Sequence, residues 1–511
     1  MLKNKKGNLI INMSTYAMLQ IVNMLVGLLL PRLFLSVYGS EINGVISTVN
    51  SFVSYFSYLE AGIGLTLIHS LFKPLAEKDN NSINNVISFS KKQYRKISVI
   101  YFILVLLLSI VFPLIRRTAA MTTFEFVSLV FVIGLYGTID FFAMAKYRVL
   151  LTADRKEYVI SAAMILAQIL RFVLVWIFLQ FKISVVIVKI VPILTLLVRT
   201  VLLKLYIQKN YPNVDYSVQY TKSIEVSDKR WDALLLQISI NTSTSLPAIL
   251  ISTALGFKEA NVYAVYSMIA SAIISVVSAL SSGVAPKLGQ NISMGIDIRS
   301  TYRVYDYIVS IVITVVFSVM AVMTIPFVKL YTSVVNDINY VNPIFAILMS
   351  VWAALHSYRI PMTAVINASG LYKENRLNNI LNLLIQVVVG IILVISFGIA
   401  GILVAMIFAA IQRNISFDRV INRNLFHSTN ANAIFKQMLI GLTIIVSYVI
   451  LSPIINKFNY TFTIWVFISI LVAVLESIIA LLVFGITDMK MCKKLFYEIL
   501  NVIRNFKSKI M

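Results

Sequence analysis

Apolar residues in this chain gather into runs of about twenty, broken by short polar clusters. About twenty helical residues at a rise of 1.5 Å cross the ~30 Å hydrocarbon core of a bilayer. Such runs fall near 9–36, 42–69, 97–115, 124–148, 158–180, 183–205 and 233–256, and again near 260–285, 304–330, 340–366, 377–396, 398–413, 434–455 and 461–485. The pattern predicts an all-α integral membrane protein of about fourteen transmembrane helices. The two runs meeting around Ser396–Gly401 have the shortest connection. The longest connections, near 70–96 and 206–232, are too short to hold a catalytic domain.

Composition agrees. A chain of 511 residues that is 59% apolar, 13% charged and has a mean hydropathy of +0.88 cannot cover a soluble surface, which takes about 25% charged residues. In a membrane protein a net charge of +23 reads as basic cytoplasmic loops facing anionic headgroups, not as a nucleic-acid surface. The single Cys492 excludes a disulfide framework, a redox pair and a thiolate metal site. Lys3, Lys5 and Lys6 precede an apolar stretch too long for a signal-peptide core, so the first run reads as an uncleaved span. With the N-terminus inside, roughly 33 of the 44 basic residues fall in cytoplasmic segments, six outside (Arg116, Arg117, Lys182, Lys258, Lys329, Lys457) and five within spans. Both termini are therefore expected in the cytoplasm.

An internal repeat organises the spans. Tyr94-Arg95 matches Tyr302-Arg303, Tyr147-Arg148 through Thr152 matches Tyr358-Arg359 through Thr363, and Gly39, Glu41 and Asn43 match Gly256, Glu259 and Asn261. The offsets, roughly 210 to 218, carry span 1 onto span 7, an even number of crossings. Two parallel six-helix lobes are expected, related by a pseudo-twofold along the membrane normal: spans 1–6 in residues 1–210 and spans 7–12 in residues 211–425. Residues 426–511 hold the last two spans and a basic tail (Lys490, Lys493, Lys494, Arg504, Lys507, Lys509) read as a headgroup contact. Parallel lobes of this kind place a substrate site between them in transporters. Pro31, Pro113, Pro192, Pro247, Pro326, Pro343 and Pro361 are expected to interrupt helices, as kinks that membrane helices tolerate or as hinges.

Enzyme signatures are missing: there is no phosphate-binding GxxxxGK[ST] loop, no complete GxGxxG and no HExxH, and His69, His356 and His427 are far apart. The chain reads as a non-enzyme with no cofactor and no metal. Its informative residues are ionisable groups inside spans: Arg32, Arg171, Lys189, Arg199 and Arg359 against Glu60, Asp140 and Glu476. Each central charge costs about 2.5–3.5 kcal/mol, so it should face a partner or a wet cavity. The positive balance favours an anionic, phosphate-bearing cargo, because guanidinium forks bind phosphate oxygens in pairs. Arg359, its repeat partner Arg148, Arg171, Arg199, Arg32 and Lys189 form the candidate cationic cleft. Arg32 and Lys189 could instead snorkel, and Arg171 could pair with Asp140. Glu60, Asp140 and Glu476 are candidates for ion or proton coupling, or for helix-packing hydrogen bonds. On span 10, Trp352, His356, Arg359 and Thr363 share one helical face. Trp352 and His356 are candidate sugar contacts or packing residues.

At this point the chain resembles the O-antigen and capsule repeat-unit flippases of the multidrug/oligosaccharidyl-lipid/polysaccharide exporter superfamily. The likeness covers nearly the whole length. It rests on Tyr38-Gly39-Ser40-Glu41-Ile42-Asn43-Gly44, on Tyr58-Leu59-Glu60-Ala61-Gly62-Ile63-Gly64, and on Leu71-Phe72-Lys73-Pro74-Leu75-Ala76. It continues in Leu151-Thr152-Ala153-Asp154 and Asn367-Ala368-Ser369-Gly370-Leu371-Tyr372-Lys373. The resemblance implies translocation of undecaprenyl-diphosphate-linked oligosaccharides from the cytoplasmic to the outer leaflet of a bacterial cytoplasmic membrane, by alternating access between two lobes around a cationic cavity. It implies glycosyltransferases and a polysaccharide polymerase as partners, and a groove for the prenyl tail on the last two helices. A peptidoglycan-precursor flippase and a multidrug cation antiporter of the same superfamily are the alternatives. A membrane-embedded glycan polymerase or ligase, from another class, would need a large external loop that the short connections lack.

Overall fold

The computed structural model describes residues 2–60, 63–215, 230–282, 284–427, 433–489 and 491–492, so the C-terminal basic run and Ala61-Gly62 of the second motif lie outside it. All regular structure among these residues is helical. Two compact units divide the chain, Met1–Ala264 and Val265–Met511.

The first unit contains α1 (Leu2–Phe56), α2 (Ile63–Glu77), α3 (Asn80–Ile115), α4 (Thr123–Ile139), α5 (Ala145–Ala153), α6 (Glu157–Gln180), α7 (Val185–Val188), α8 (Val191–Asn210), α9 (Arg230–Ala254) and the first turns of α10 (Phe257–Ser282). The 55 residues of α1 do not form one rod. Asn12 donates to the Arg155 carbonyl at 2.9 Å and accepts from the Tyr158 amide at 2.8 Å, while Glu60 lies 3.7 Å from Arg148. A straight helix would hold residues 12 and 60 about 70 Å apart, yet both are tied to the short stretch 148–158. The reversal falls at Gly39 (φ 76°), where only glycine turns without strain. Both limbs contribute to one core with α4, α6, α7 and Phe257, including Leu30, Phe34, Val45, Val49, Val130 and Val188. The rings of Phe112, Phe126 and Phe257 meet edge to face at 5.6–6.0 Å.

The second unit contains α11 (Ala285–Ser293), α12 (Arg299–Tyr331), α13 (Pro343–Ser369), α14 (Arg376–Leu384), α15 (Gly390–Ile421), α16 (Ala433–Ile455) and α17 (Phe462–Thr487). Here the chain reverses at Gly398 (φ 61°). Asn382 donates to the Ala409 carbonyl at 2.6 Å, and a Cβ on Gly401 would stand 1.9 Å from the Leu393 oxygen, so the limbs on either side of Gly398 run back along each other. α12 packs against α13, α16 and α17. Tyr307 bonds the Phe484 carbonyl (3.0 Å) and Trp465 the Met323 carbonyl (3.2 Å), which aligns α17 antiparallel to α12.

Polarity runs opposite to that of a soluble protein. Ser310, Thr314 and Ser318 on α12 are fully buried, while Phe467, Ile470, Leu471, Val474 and Ile478 on α17 are exposed. Hydrocarbon accepts the apolar face, and hydroxyls are enclosed where carbonyls can take their protons, as Ser310 does to Asp306 (2.7 Å) and Thr314 to Ser310 (2.8 Å).

Twelve helices among the described residues are long and apolar enough to cross a membrane. The expectation of about fourteen differs because the sequence reading divides each of the two helices of 50 and 51 residues, Ile11–Glu60 and Arg376–Phe426, at its reversal. Three expectations need correction. The window 42–69 is not one helix: α1 ends at Phe56, a 3₁₀ turn covers Ser57–Glu60 and α2 follows, a break that hydropathy averaging passes over. The stretch near 70–96 is helical, with Asp79 capping α3 by accepting from the amides of Asn81 and Ser82. Bonds from Ser82 hold that carboxyl below the usual carboxylate range. Pro192 and Pro343 start α8 and α13 instead of interrupting them, because a first-turn residue owes no helical hydrogen bond.

Gly401→Ala is expected to lower stability by about 1–3 kcal/mol, since its methyl meets fixed backbone. Gly441→Ala on α16, with nothing within 4 Å of its Cβ, is expected to be neutral or slightly stabilising. Thermal unfolding of the two variants in detergent tests the contrast.

Candidate functional site

In the first unit the charged residues converge where α4 changes register. Asp140 opens a π-helical turn, Asp140–Met144, before α5. Such a turn carries one residue more than the α repeat and redirects the side chains that follow. Asp140 receives Arg199 from α8 at 2.5 Å and Arg148 from α5 at 3.3 Å. Arg148 also lies 3.7 Å from Glu60, whose other oxygen accepts from Tyr94 at 2.6 Å. Two carboxylates thus answer two guanidiniums. The expected pairing of Arg171 with Asp140 is not formed: Arg199 and Arg148 occupy that carboxylate.

Arg171, on α6, makes no hydrogen bond or ion pair among the described residues, and its Nε is buried. The charge within its electrostatic reach is another cation, Lys189, whose ammonium stands 4.0 Å from the centre of the Phe34 ring. Arg32 is half-buried on α1.

The second unit carries its own cationic cluster, on α13, α14 and α15. Arg359 meets His356 Nε2 at 2.8 Å, and Trp352 packs on the same imidazole with ring centres 5.0 Å apart. The helical stripe read from the sequence is real, with Trp352 and His356 buried. Buried atoms on it without a partner are Trp352 Nε1, Arg359 Nε and Thr363 Oγ1. No ion pair involves Arg359 among the described residues. Arg413 lies within its electrostatic reach and donates to Asn382 Oδ1. Asn382 in turn donates to Gln412 (2.9 Å) and Gln386 to Asn382 (2.5 Å). Asn414 bridges the Leu355 carbonyl (2.9 Å) and Gln437 (3.0 Å). Sequence reading missed Arg413, which closes an apolar window and so reads as a cytoplasmic residue. It also missed Asn379, Asn382 and Gln386, although their spacing on one face of an apolar helix was a legible signal. Glu476, 1% exposed, accepts from Ser447 at 2.9 Å between α16 and α17.

Repeat-matched residues also meet. Asn43 donates to Asn261 at 2.8 Å with both side chains buried, beside Gly44, whose Cβ would fall 1.8 Å from the Phe257 oxygen. Arg116 bonds the Leu255 carbonyl (3.1 Å) and Thr118 bonds Glu41 (2.5 Å) around this contact, and Gly256, like Gly39, has positive φ.

Solved structures place this architecture. An inward-facing multidrug resistance MATE family transporter of the MOP superfamily superposes with a TM-score of 0.62 at 14% identity, over 82% of this chain and 99% of its own. The lipid II flippase MurJ, in an inward closed conformation, superposes with a TM-score of 0.62 at 13% identity, over 94% of this chain and 100% of its own. The eukaryotic MATE transporter AtDTX14 follows with 0.53 at 16%, over 85% and 97%. The fold is the one these transporters share. No family model matches the sequence, and neither does any curated protein.

Asp140→Asn is expected to destabilise the protein by about 3–5 kcal/mol, because Arg148 and Arg199 lose their common counter-charge. Arg199→Gln in the same chain should recover part of that loss, and a double-mutant cycle on unfolding free energies reads the coupling.

Proposed function

We propose that this chain is a flippase for an anionic lipid-linked oligosaccharide. In this reading it carries undecaprenyl-diphosphate-linked repeat units from the cytoplasmic to the outer leaflet of a bacterial cytoplasmic membrane, with both termini in the cytoplasm and no enzymatic step. The observation that carries the reading is the sorting of intramembrane charge. Arg148 and Arg199 have carboxylates, whereas Arg171 with Lys189, and Arg359 with Arg413, stand as like-charged pairs. Like charges in hydrocarbon repel and cost desolvation, so each pair is suited to receive an anion. A diphosphate supplies that charge and oxygens in the spacing a guanidinium fork binds. A carrier of cationic drugs needs the reverse sign.

Transport in this reading proceeds by alternating access. With the inside negative, outward passage of the headgroup gains roughly 2.3 kcal/mol per charge per 100 mV. Asp140 and Glu60 are engaged by arginines, which suits a structural counter-charge better than a proton carrier. Glu476, bonded to Ser447, remains the candidate for coupling. Glycosyltransferases and a polymerase are the partners this cargo requires.

A peptidoglycan-precursor flippase is the second reading. It is favoured by coverage of 94% of the chain by the lipid II flippase against 82% by the multidrug transporter. The difference is about 61 of 511 residues, two spans with their connections. Both cargoes carry a polyprenyl diphosphate, so the cationic pairs serve either.

In a strain lacking the chromosomal copy, Arg171→Gln and Arg359→Gln are each expected to cut surface polysaccharide about tenfold or more at unchanged protein level, since each removes over about 1.4 kcal/mol of anion binding. Normal polysaccharide in both strains defeats the proposal. Rescue of a strain depleted of its lipid II flippase selects the second reading.

A further inference from the structure

The seam between α1 and α9, inside the first unit, holds a polar surface that the cationic pairs do not use. On α1, Asn43, Ser47, Ser51 and Ser54 recur at intervals of three and four and so form one face along a membrane span, with Tyr58 in the 3₁₀ turn that follows it. Across from them α9 carries Asn241-Thr242-Ser243-Thr244-Ser245, five consecutive polar residues inside a helix otherwise apolar enough to cross the bilayer. The two elements pack together, and the hydroxyls of Ser54 and Ser245 are 2.8 Å apart. Tyr55 and Tyr58 stand edge to face at 6.1 Å.

Helix packing alone accounts for serines and threonines on such a seam. It does not account for the Tyr263 phenol. Tyr263 is 2% exposed and its hydroxyl has no partner. The Tyr55 hydroxyl, also buried, has the Thr242 hydroxyl as its polar neighbour and lies within reach of Tyr263. An orphaned buried hydroxyl costs about 1–3 kcal/mol, and phenylalanine would fill the same space without that cost.

We infer that this seam is a glycan-binding surface, in which Tyr55, Tyr58 and Tyr263 supply ring faces, Tyr263 supplies an unsatisfied phenol, and Ser54, Thr242 and Ser245 supply hydroxyls, to the sugars of the cargo. A sugar offers what these groups lack. Its hydroxyls both donate and accept, as serine, threonine and tyrosine hydroxyls do, and its C–H faces lie against aromatic rings. These six residues carry no charge, so the surface suits neither a diphosphate nor a cationic drug, and a prenyl chain would leave every hydroxyl unmet. The inference rests on the flippase reading and divides the labour within it: the cationic pairs take the diphosphate, and the seam reads the glycan. Because the Ser54–Ser245 contact closes the seam in the present conformation, sugar enters as α1 and α9 part.

The test uses the full-length protein in nanodiscs and two probes, bare undecaprenyl diphosphate and the glycosylated undecaprenyl diphosphate pool extracted from the cells that make the protein. Affinities are read by intrinsic fluorescence. Wild type is expected to bind the glycosylated lipid at least about tenfold more tightly than the bare one. Tyr55→Phe with Tyr263→Phe, and Thr242→Val, remove hydroxyls at nearly constant shape and should erase most of that preference while leaving bare-lipid affinity within about twofold. Bare-lipid binding also reports that each variant is folded. Tyr58→Ala tests the ring in the same way. A preference that survives in all these variants overturns the inference and leaves the flippase reading standing, as does a wild type that binds both lipids equally. A wild type that binds neither lipid overturns the flippase reading, and the inference falls with it.

Discussion

A guanidinium enclosed in a bilayer costs about 2.5–3.5 kcal/mol unless something answers its charge, and the first unit is arranged around that requirement. Asp140 answers two arginines from two other helices, α5 and α8, at the residue where the chain leaves the α repeat. Glu60 completes the network from the end of α1 and is itself held by Tyr94. Four helical segments are thereby locked at one level of the membrane by charge, while the apolar contacts between them are interchangeable with contacts to lipid.

The second unit solves the same problem with amides. Arg413 is met by Asn382, Asn382 by Gln386 and Gln412, and Arg359 by an imidazole. Amides orient a guanidinium without neutralising it. This leaves the second unit cationic at Arg359 and Arg413, although Lys436 there is answered by Asp306, while the first is balanced at Asp140 but cationic at Arg171 and Lys189. Carboxylates therefore mark where the protein answers its own buried charge.

Identities of 13–16% accompany superposition over more than four-fifths of the chain. The physics of the solvent makes this combination natural. Bilayer thickness sets helix length, and any large apolar side chain serves on a lipid-facing surface such as that of α17. In this chain the tight backbone constraints fall at a few positions, such as the reversals at Gly39 and Gly398 and close approaches such as Gly44 on Phe257 and Gly401 on Leu393.

Along the chain alone, the all-helical membrane class and rough extent of the apolar crossings, the excess of intramembrane positive charge, the matched Tyr-Arg pairs and the shared face of Trp352, His356 and Arg359 were all legible. Each of these is a property of composition or of spacing within one helix. Which charges meet was not. Asp140 and Arg199 are 59 residues apart, and Arg171 lies nearer in sequence to the acid it does not touch. Arg413 read as a loop residue because hydropathy averaging places the end of a window, not the end of a helix, and α15 continues past it to Ile421. Sequence by itself determined that this chain lives in lipid and carries buried positive charge, because bilayer thickness and desolvation act on every residue in turn. Only the tertiary structure decided which arginines are neutralised and which are not, because a counter-charge acts across a few ångströms of space, whatever its distance along the chain.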